Sequence, residues 1–253
     1  QAFSETARLH MVEISPALKA RQQETLRAHG DRIEWHESFE TIPDDPVLII
    51  ANEFFDALPI RQYVGHGERW QERRIGLADD GSLAFTLGPR ALGTDIMPVE
   101  DAILEVSPLS TAIVRGWAER IGRQGGAALI IDYGHTETAV GETLQAVRAH
   151  EYVEVLADPG DADLTAHVDF AALRAACEGT GAICHGPMPQ GDFLLALGLL
   201  ERAGQLGRDK DNAARQVIRD AIERLAGPDQ MGHLFKVLAV TGGDFRPLPF
   251  SGD

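Results

Sequence analysis

The sequence predicts an α/β fold built on a parallel sheet, and three observations carry that expectation. Two fully apolar runs, residues 47–51 and 127–131, have the length of buried strands rather than of helices. Ser-Pro pairs at Ser15-Pro16 and Ser107-Pro108 follow strand-like segments and mark helix starts. Strands and helices then alternate, the order that puts parallel strands beneath helices on both faces.

Taken in order, residues 8–14 form an apolar segment that ends at Ser15-Pro16. Ser15 is the expected N-cap, Pro16 suits the first helical turn, and a helix is predicted from there to about residue 29. Residues 32–36 alternate and read as a short strand, and 47–51 follow as a strand bounded by Pro46 and Pro59. From residue 60 the pattern changes. Three strand candidates (60–64, 70–75 and 82–87) are separated by glycine-containing turns, of which Asp80-Gly81 is a hairpin signal. This antiparallel excursion is assigned to residues 60–99. A helix begins at Ser107-Pro108, with Ala112, Ile113, Gly116, Trp117, Arg120 and Ile121 on its apolar stripe, and Gly125-Gly126 ends it.

After the strand at 127–132 the chain loses its rhythm, and residues 134–168 read as a long active-site loop. Asp169 caps a helix to Cys177, and 180–187 is a strand. Helices at 193–203 and 212–225 flank the polar turn 204–211, a helical insertion spanning 191–230. Residues 235–241 close the core. The whole, 1–253, is expected to be a single domain.

Composition narrows the function. The 253 residues are 44% hydrophobic and 25% charged, a globular balance that excludes a disordered chain. Against 23 basic residues stand 39 acidic ones, a net charge of −16 that disfavours polyanionic partners such as nucleic acid. No run approaches the ~18 apolar residues of a membrane span, so no membrane insertion is expected. Cys177 and Cys184 are too few for a disulfide framework and point to a reducing compartment. The first residues, starting at Gln1, resemble neither a signal peptide nor a transit peptide.

Candidate site residues gather at strand ends. Glu13 follows the first strand and precedes a helix, where a nucleotide-binding sheet holds a ribose; each such hydrogen bond is worth roughly 1.5–3 kcal/mol. A surface acid favoured by the helix dipole is the plainer reading. In the stretch 51–59, ANEFFDALP, polar Asn52 and Glu53 fall directly after an apolar strand, with Phe54 and Phe55 as apolar walls. The alternative is a capped turn in which Asp56 satisfies backbone donors. Asp132, Tyr133 and Gly134 end another buried strand and should face the same crevice, unless Gly134 merely supplies an unusual dihedral. Ser38 and Phe39 lie where a loop could cover an adenine ring. Asp163, His167 and Asp169 offer metal-type donors, but helix capping accounts for Asp169, so no metal is expected.

These residues are specific enough to carry a resemblance. ANEFFDALP at 51–59, VEISPALKARQ at 12–22, IIDYGH at 130–135, DLTAHVDFAAL at 163–173 and GPMPQGDFLLALGLLERA at 186–203 resemble the MidA / complex I assembly factor 7 family over essentially the whole chain. The resemblance implies a Rossmann-like class I S-adenosylmethionine-dependent methyltransferase. It also implies symmetric dimethylation of arginine on a protein substrate, a respiratory complex I subunit in mitochondrial members. Glu13 then falls on the ribose acid, and Ile14, Ser38, Phe39, Asn52 and Phe54 on the cofactor's surroundings. Phe55, Asp132, Tyr133 and Gly134 are expected to face the substrate.

Arginine methylation explains why acids belong there. A guanidinium has a pKa above ~12 and arrives charged, a poor nucleophile. A carboxylate holds it bidentately and draws charge away from the attacking nitrogen. Glu53 is the expected clamp, with Asp56 second, Asn52 orienting and His167 accepting the proton. A homodimer is compatible with this reading, as is a cytoplasmic location in a bacterium or a mitochondrial one in a eukaryote.

The sequence departs from the family in one respect. Nothing fits the glycine-rich loop that follows the first strand, and only six of seven core strands are found. The expectation is that an N-terminal part carrying the central strand is missing here. Two other functions stay open: a non-catalytic assembly or binding protein that keeps the fold, and a nicotinamide-dependent oxidoreductase using Glu13.

Overall fold

The computed structural model describes residues 6–250. The chain divides into two compact units, Gln1–Asp45 and Pro46–Asp253.

In the first unit, β1 (Leu9–Val12) leads through Ser15 into α1 (Pro16–Thr25), and β2 (Ile33–His36) pairs parallel with β1. The Ser15 side chain accepts from the Leu18 amide and Pro16 opens the helix, as the sequence predicts. The helix stops four residues short of the predicted end, and a 3-10 turn (Arg27–Arg32) completes the crossover. The Trp35 indole donates to Gln22 at 3.0 Å and ties β2 to α1. Only Ile33 and Ile42 are buried hydrophobics among the described residues of this unit, so its core is slight.

The second unit carries the main sheet. β3 (Val47–Asn52) runs into a four-stranded antiparallel sheet of β4 (Arg61–His66), β5 (Arg69–Leu77), β6 (Leu83–Leu92) and β7 (Ile103–Val106), in the order β6-β5-β4-β7. Tyr63, Trp70 and Leu104 form its core, and the Trp70 indole donates to the Ile96 carbonyl at 2.7 Å. Ser107 then caps α2 (Pro108–Gln124) by accepting from the Ser110 amide. The helix buries Ser110, Val114, Trp117, Ala118, Arg120 and Ile121. The predicted stripe was off by part of a turn: Trp117, Arg120 and Ile121 are buried as expected, but Ala112 and Gly116 are exposed and Val114 and Ala118 are buried instead.

β8 (Gly126–His135) is the centre of the main sheet. β3 pairs with it in parallel, Val47 opposite Gly126 through Asn52 opposite Ile131. The expected irregular loop instead holds a small antiparallel sheet of β9 (Gln145–Arg148), β10 (Glu151–Val153) and β11 (Asp163–Thr165). Strands of three or four residues are too short to leave a readable alternation. β12 (Val168–Asp169) pairs with the end of β8, and Asp169 caps α3 (Phe170–Ala176) by accepting from the Ala172 amide.

β13 (Ala182–Pro189) leads to α4 (Gln190–Ala196) and α5 (Leu199–Gly207), where the sequence suggested one helix. Gly198, at φ +89°, breaks it. α6 (Asn212–Ala226) and the short α7 (Met231–Leu234) follow, and β14 (Phe235–Gly242) inserts antiparallel between β8 and β13. The expectation of a strand covered on both faces fails at β3. Leu48 and Ile50 are 64% and 77% exposed, and as alternate residues they share one face of the strand, which is therefore uncovered.

Candidate active site

The C-terminal ends of β3 and β8 meet through one carboxylate. Asp132 is fully buried, and its Oδ2 accepts from the amides of Phe54, Phe55 and Asp56 at 3.1, 2.9 and 3.3 Å. Its Oδ1 accepts from the Tyr133 amide at 3.0 Å. Three consecutive amides converging on one oxygen make a backbone nest around an acid, which fixes the turn 53–56 onto β8. Burial, with Asp56 nearby, lifts the Asp132 carboxyl to about 7, against the downward pull of the amides.

That turn sorts the predicted acids. Glu53 is exposed and sits at φ +48°, its amide donating to the Ile131 carbonyl at 3.0 Å. A non-glycine residue in left-handed backbone costs about 1–2 kcal/mol, so surrounding bonds must hold it there. Asn52, also exposed, donates its side-chain amide to Glu53 at 3.3 Å. Asp56 differs in its burial. It is buried, the Tyr133 hydroxyl is hydrogen-bonded to it, and its Oδ1 has no partner among the described residues. Burial and the bond to Asp56 push the Tyr133 phenol well above its ordinary pKa and keep it neutral.

The aromatic residues frame this corner. Phe54 is 39% exposed and stacks on Trp117 with centroids 6.1 Å apart, while buried Phe55 meets the same indole edge-on. His167 is half-buried and packs edge-to-face with Tyr133. Burial, then the charge of His135, depresses its pKa and keeps the imidazole neutral near pH 7. With Phe55 and Ser110 it lines a cavity of about 30 Å3. Gly134 has no unusual dihedral. It is required because a Cβ there would meet the Val168 carbonyl oxygen at 2.0 Å, across the β8–β12 pairing.

In the first unit, Glu13 follows β1 as predicted, and its amide donates to the His36 carbonyl at 3.0 Å. Its Oε1 accepts from the Ser15 amide at 2.8 Å and its Oε2 from Gln22 at 3.0 Å. Ile14 is 80% exposed. Ser38 caps a short 3-10 turn, Phe39–Thr41, of which Phe39 is half-buried.

Several positioning residues escaped the sequence reading. Gln22 orients Glu13 from nine residues away. Glu105 accepts from Gln62, from the Thr143 and Leu144 amides and from the Thr143 hydroxyl, while the Thr143 oxygen accepts from the His167 amide at 2.9 Å. Glu105 therefore anchors the segment that carries His167. An acid in an alternating strand gives no sequence signal of that task.

The comparison with known proteins decides the family. A family model described as "Putative S-adenosyl-L-methionine-dependent methyltransferase" matches residues 1–188. The chain belongs to this family. It is 33% identical to the mitochondrial protein arginine methyltransferase NDUFAF7 of Danio rerio over 257 residues, covering 92% of this chain and 60% of the relative. The corresponding Drosophila melanogaster homolog is 34% identical, with 93% and 61% covered. The chain thus spans about three-fifths of the length of these curated relatives. A crystal structure of a Burkholderia thailandensis protein bound to S-adenosyl-homocysteine superposes with a TM-score of 0.79 at 28% identity, covering 92% of this chain and 64% of that one. The fold of this methyltransferase family member is the Rossmann-like class I fold. No helix among its described residues is long and apolar enough to cross a membrane.

Proposed function

We propose that this family member is an S-adenosylmethionine-dependent methyltransferase that acts on arginine of a protein substrate. The observation that carries the proposal is the turn 53–56. Its amides are bound to Asp132, which leaves Glu53 exposed in strained backbone and Asp56 buried with a bare oxygen. Both acids suit a guanidinium, whose planar fork matches a carboxylate. The names of the curated relatives support the arginine assignment.

The chain's residues fit the cofactor at Glu13. Each of its oxygens accepts one bond inside the unit, and a carboxylate has about four acceptor positions, so two stay available for ribose hydroxyls. Ile14, Ser38 and Phe39 are its proposed neighbours within the first unit. S-adenosylmethionine supplies a methyl group activated on a sulfonium.

Everything else falls to the protein. Glu53 accepts from the guanidinium N–H groups and holds positive charge away from the reacting nitrogen, while Asn52 fixes the carboxylate's orientation. Asp56 offers its bare oxygen to the same cation, and Phe55, Tyr133 and Gly134 form the wall against which the substrate lies. Asp132 acts through this turn as a positioning residue. His167, neutral near pH 7, accepts the proton that leaves the nitrogen. The free thiols of Cys177 and Cys184 suit a reducing compartment, cytoplasmic or mitochondrial.

The test uses the full gene product. Calorimetry should show binding of S-adenosylhomocysteine and none of NAD, and Glu53→Gln should retain that binding while abolishing methyl transfer to arginine peptides. Transfer that survives in Glu53→Gln would remove the clamp. Binding of neither ligand would instead favour an assembly protein that keeps the fold.

A further inference from the structure

We propose that the β1–β2 ladder carries a site for a divalent transition metal of the zinc type, formed by His10, Glu34 and His36. The parallel register sets His10 opposite Glu34 and Val12 opposite His36. Alternate residues of a strand share a face, so all three side chains rise from one side of the ladder. Met11 and Trp35 occupy the other side, where the Trp35 indole binds α1. His10 Nδ1 lies 2.9 Å from His36 Nε2 and 4.0 Å from Glu34 Oε2. One donor atom from each residue falls within 4.8 Å of the others, the one such group of His, Cys, Asp or Glu among the described residues.

A second observation prepares one ligand. His36 Nδ1 is 2.9 Å from the Thr41 hydroxyl, and that hydroxyl donates its own hydrogen to the Ser38 carbonyl at 2.9 Å. The Thr41 oxygen can then only accept, so the proton of His36 resides on Nδ1. Its Nε2 lone pair consequently faces His10. An imidazole whose far N–H is held by a fixed acceptor is the usual condition of a metal-ligating histidine.

The distances suit an ion. Two zinc–nitrogen bonds of about 2.0–2.1 Å at a tetrahedral angle put the nitrogens about 3.3 Å apart, a small opening of the present pair. Glu34 is half exposed, with 52% of its side chain accessible, and can swing the remaining distance. Two imidazoles and one carboxylate favour zinc and its neighbours over magnesium or calcium, which prefer all-oxygen sites. Three protein ligands leave one position for water.

The consequence is structural. Glu13 donates its amide to the carbonyl of His36, so the ion would clip β1 to β2 directly beside the proposed ribose acid. Two-stranded sheets are marginal alone, and this unit buries little, so a clip there contributes much. The site does not depend on the methyltransferase reading.

The experiment strips the full gene product with chelator and titrates it with zinc chloride by calorimetry. A cobalt chloride titration, read by visible absorption, reports geometry. The expected result is one saturable zinc equivalent, a tetrahedral cobalt spectrum and a raised Tm. His10→Ala and His36→Ala should each weaken zinc binding about 100-fold, and Thr41→Val about 10-fold, as outer-shell partners do. Glu34→Gln and Thr41→Val keep both imidazoles and guard against mere misfolding; His29→Ala should change nothing. Absence of saturable binding, an octahedral cobalt spectrum, or unchanged affinity across the His10, Glu34, His36 and Thr41 variants would overturn the site.

Discussion

Glu13 and Glu53 occupy the same kind of place, just past the C-terminal end of a parallel strand, yet they are set by opposite means. Glu13 is held by its own neighbourhood: the Ser15 amide two residues on and Gln22 nine residues on. Glu53 is set by a distant residue, because the turn it opens is bound to Asp132, 76 to 78 positions away. Local setting gives a relaxed carboxylate whose position depends on one helix. Long-range setting sustains a backbone conformation that the residue would not adopt alone. The first arrangement suits a group that binds, and the second suits a group that must be aimed.

The comparison breaks most severely at Asp132. Asp132→Ala should leave four amides without their acceptor, two of them buried, and cost about 3 kcal/mol, read by urea denaturation. Released from its anchor, Glu53 should lose its setting and methyl transfer should fall to background. Glu13 should be untouched, so S-adenosylhomocysteine affinity per folded molecule should hold. A parallel loss of both would mean the two acids are not set independently.

The same residue gives the comparison a pH dependence. The folded carboxyl of Asp132 titrates near 7, well above the ordinary value of 3.8. Between about pH 4 and 7 the native state therefore keeps a proton that the unfolded chain has released. Its contribution to stability is fully present below about pH 4, declines as pH rises towards 7, and is constant above. The slope approaches at most about 1.4 kcal/mol per pH unit. Denaturation midpoints measured from pH 5 to 8 should show that decline in the wild type and lose it in Asp132→Asn. An unchanged slope would assign the titration to another group.

On the local side, Glu13→Ala should lower S-adenosylhomocysteine affinity about 100-fold, the loss of two charge-assisted hydrogen bonds. Its Tm should move little, since the Ser15 cap and Pro16 still start the helix. Calorimetry beside a thermal scan separates the two effects, and an unchanged affinity would remove Glu13 from the ribose.

What could be read from the sequence follows the same division. Ser15-Pro16, Ser107-Pro108 and Asp169 start helices through bonds that close within three residues, and each is visible in the sequence. The apolar runs at β3 and β8 and the strands β4 to β6 were equally plain. Asp132 read as a residue facing a crevice, yet it is a buried anchor, because its partners lie on another strand end. Glu105 was invisible for that reason, as was the gathering of His10, Glu34 and His36, which exists only once β1 and β2 pair, whereas Gln22 is local to Glu13 but is one of several polar residues on its helix. The break at Gly198 was missed because Leu195 and Leu199 continue a helical spacing across it. The family resemblance, by contrast, needed no contacts at all, since it rests on whole motifs.

The finest effect concerns the strain at Glu53. Its φ of +48° is costly for any side chain with a Cβ and free for glycine. Glu53→Gly should therefore fold about 1 kcal/mol more stably than the wild type, after allowing for the greater entropy of glycine in the unfolded chain. Glu53→Ala removes the same carboxylate but keeps the Cβ, so it should gain nothing. Both should be inactive in methyl transfer. A glycine variant more stable than alanine, with both catalytically dead, would show that the protein gives up stability at this turn to aim one acid. Equal stability of the two would mean that the turn holds no strain, and Glu53 would then be no differently placed from Glu13.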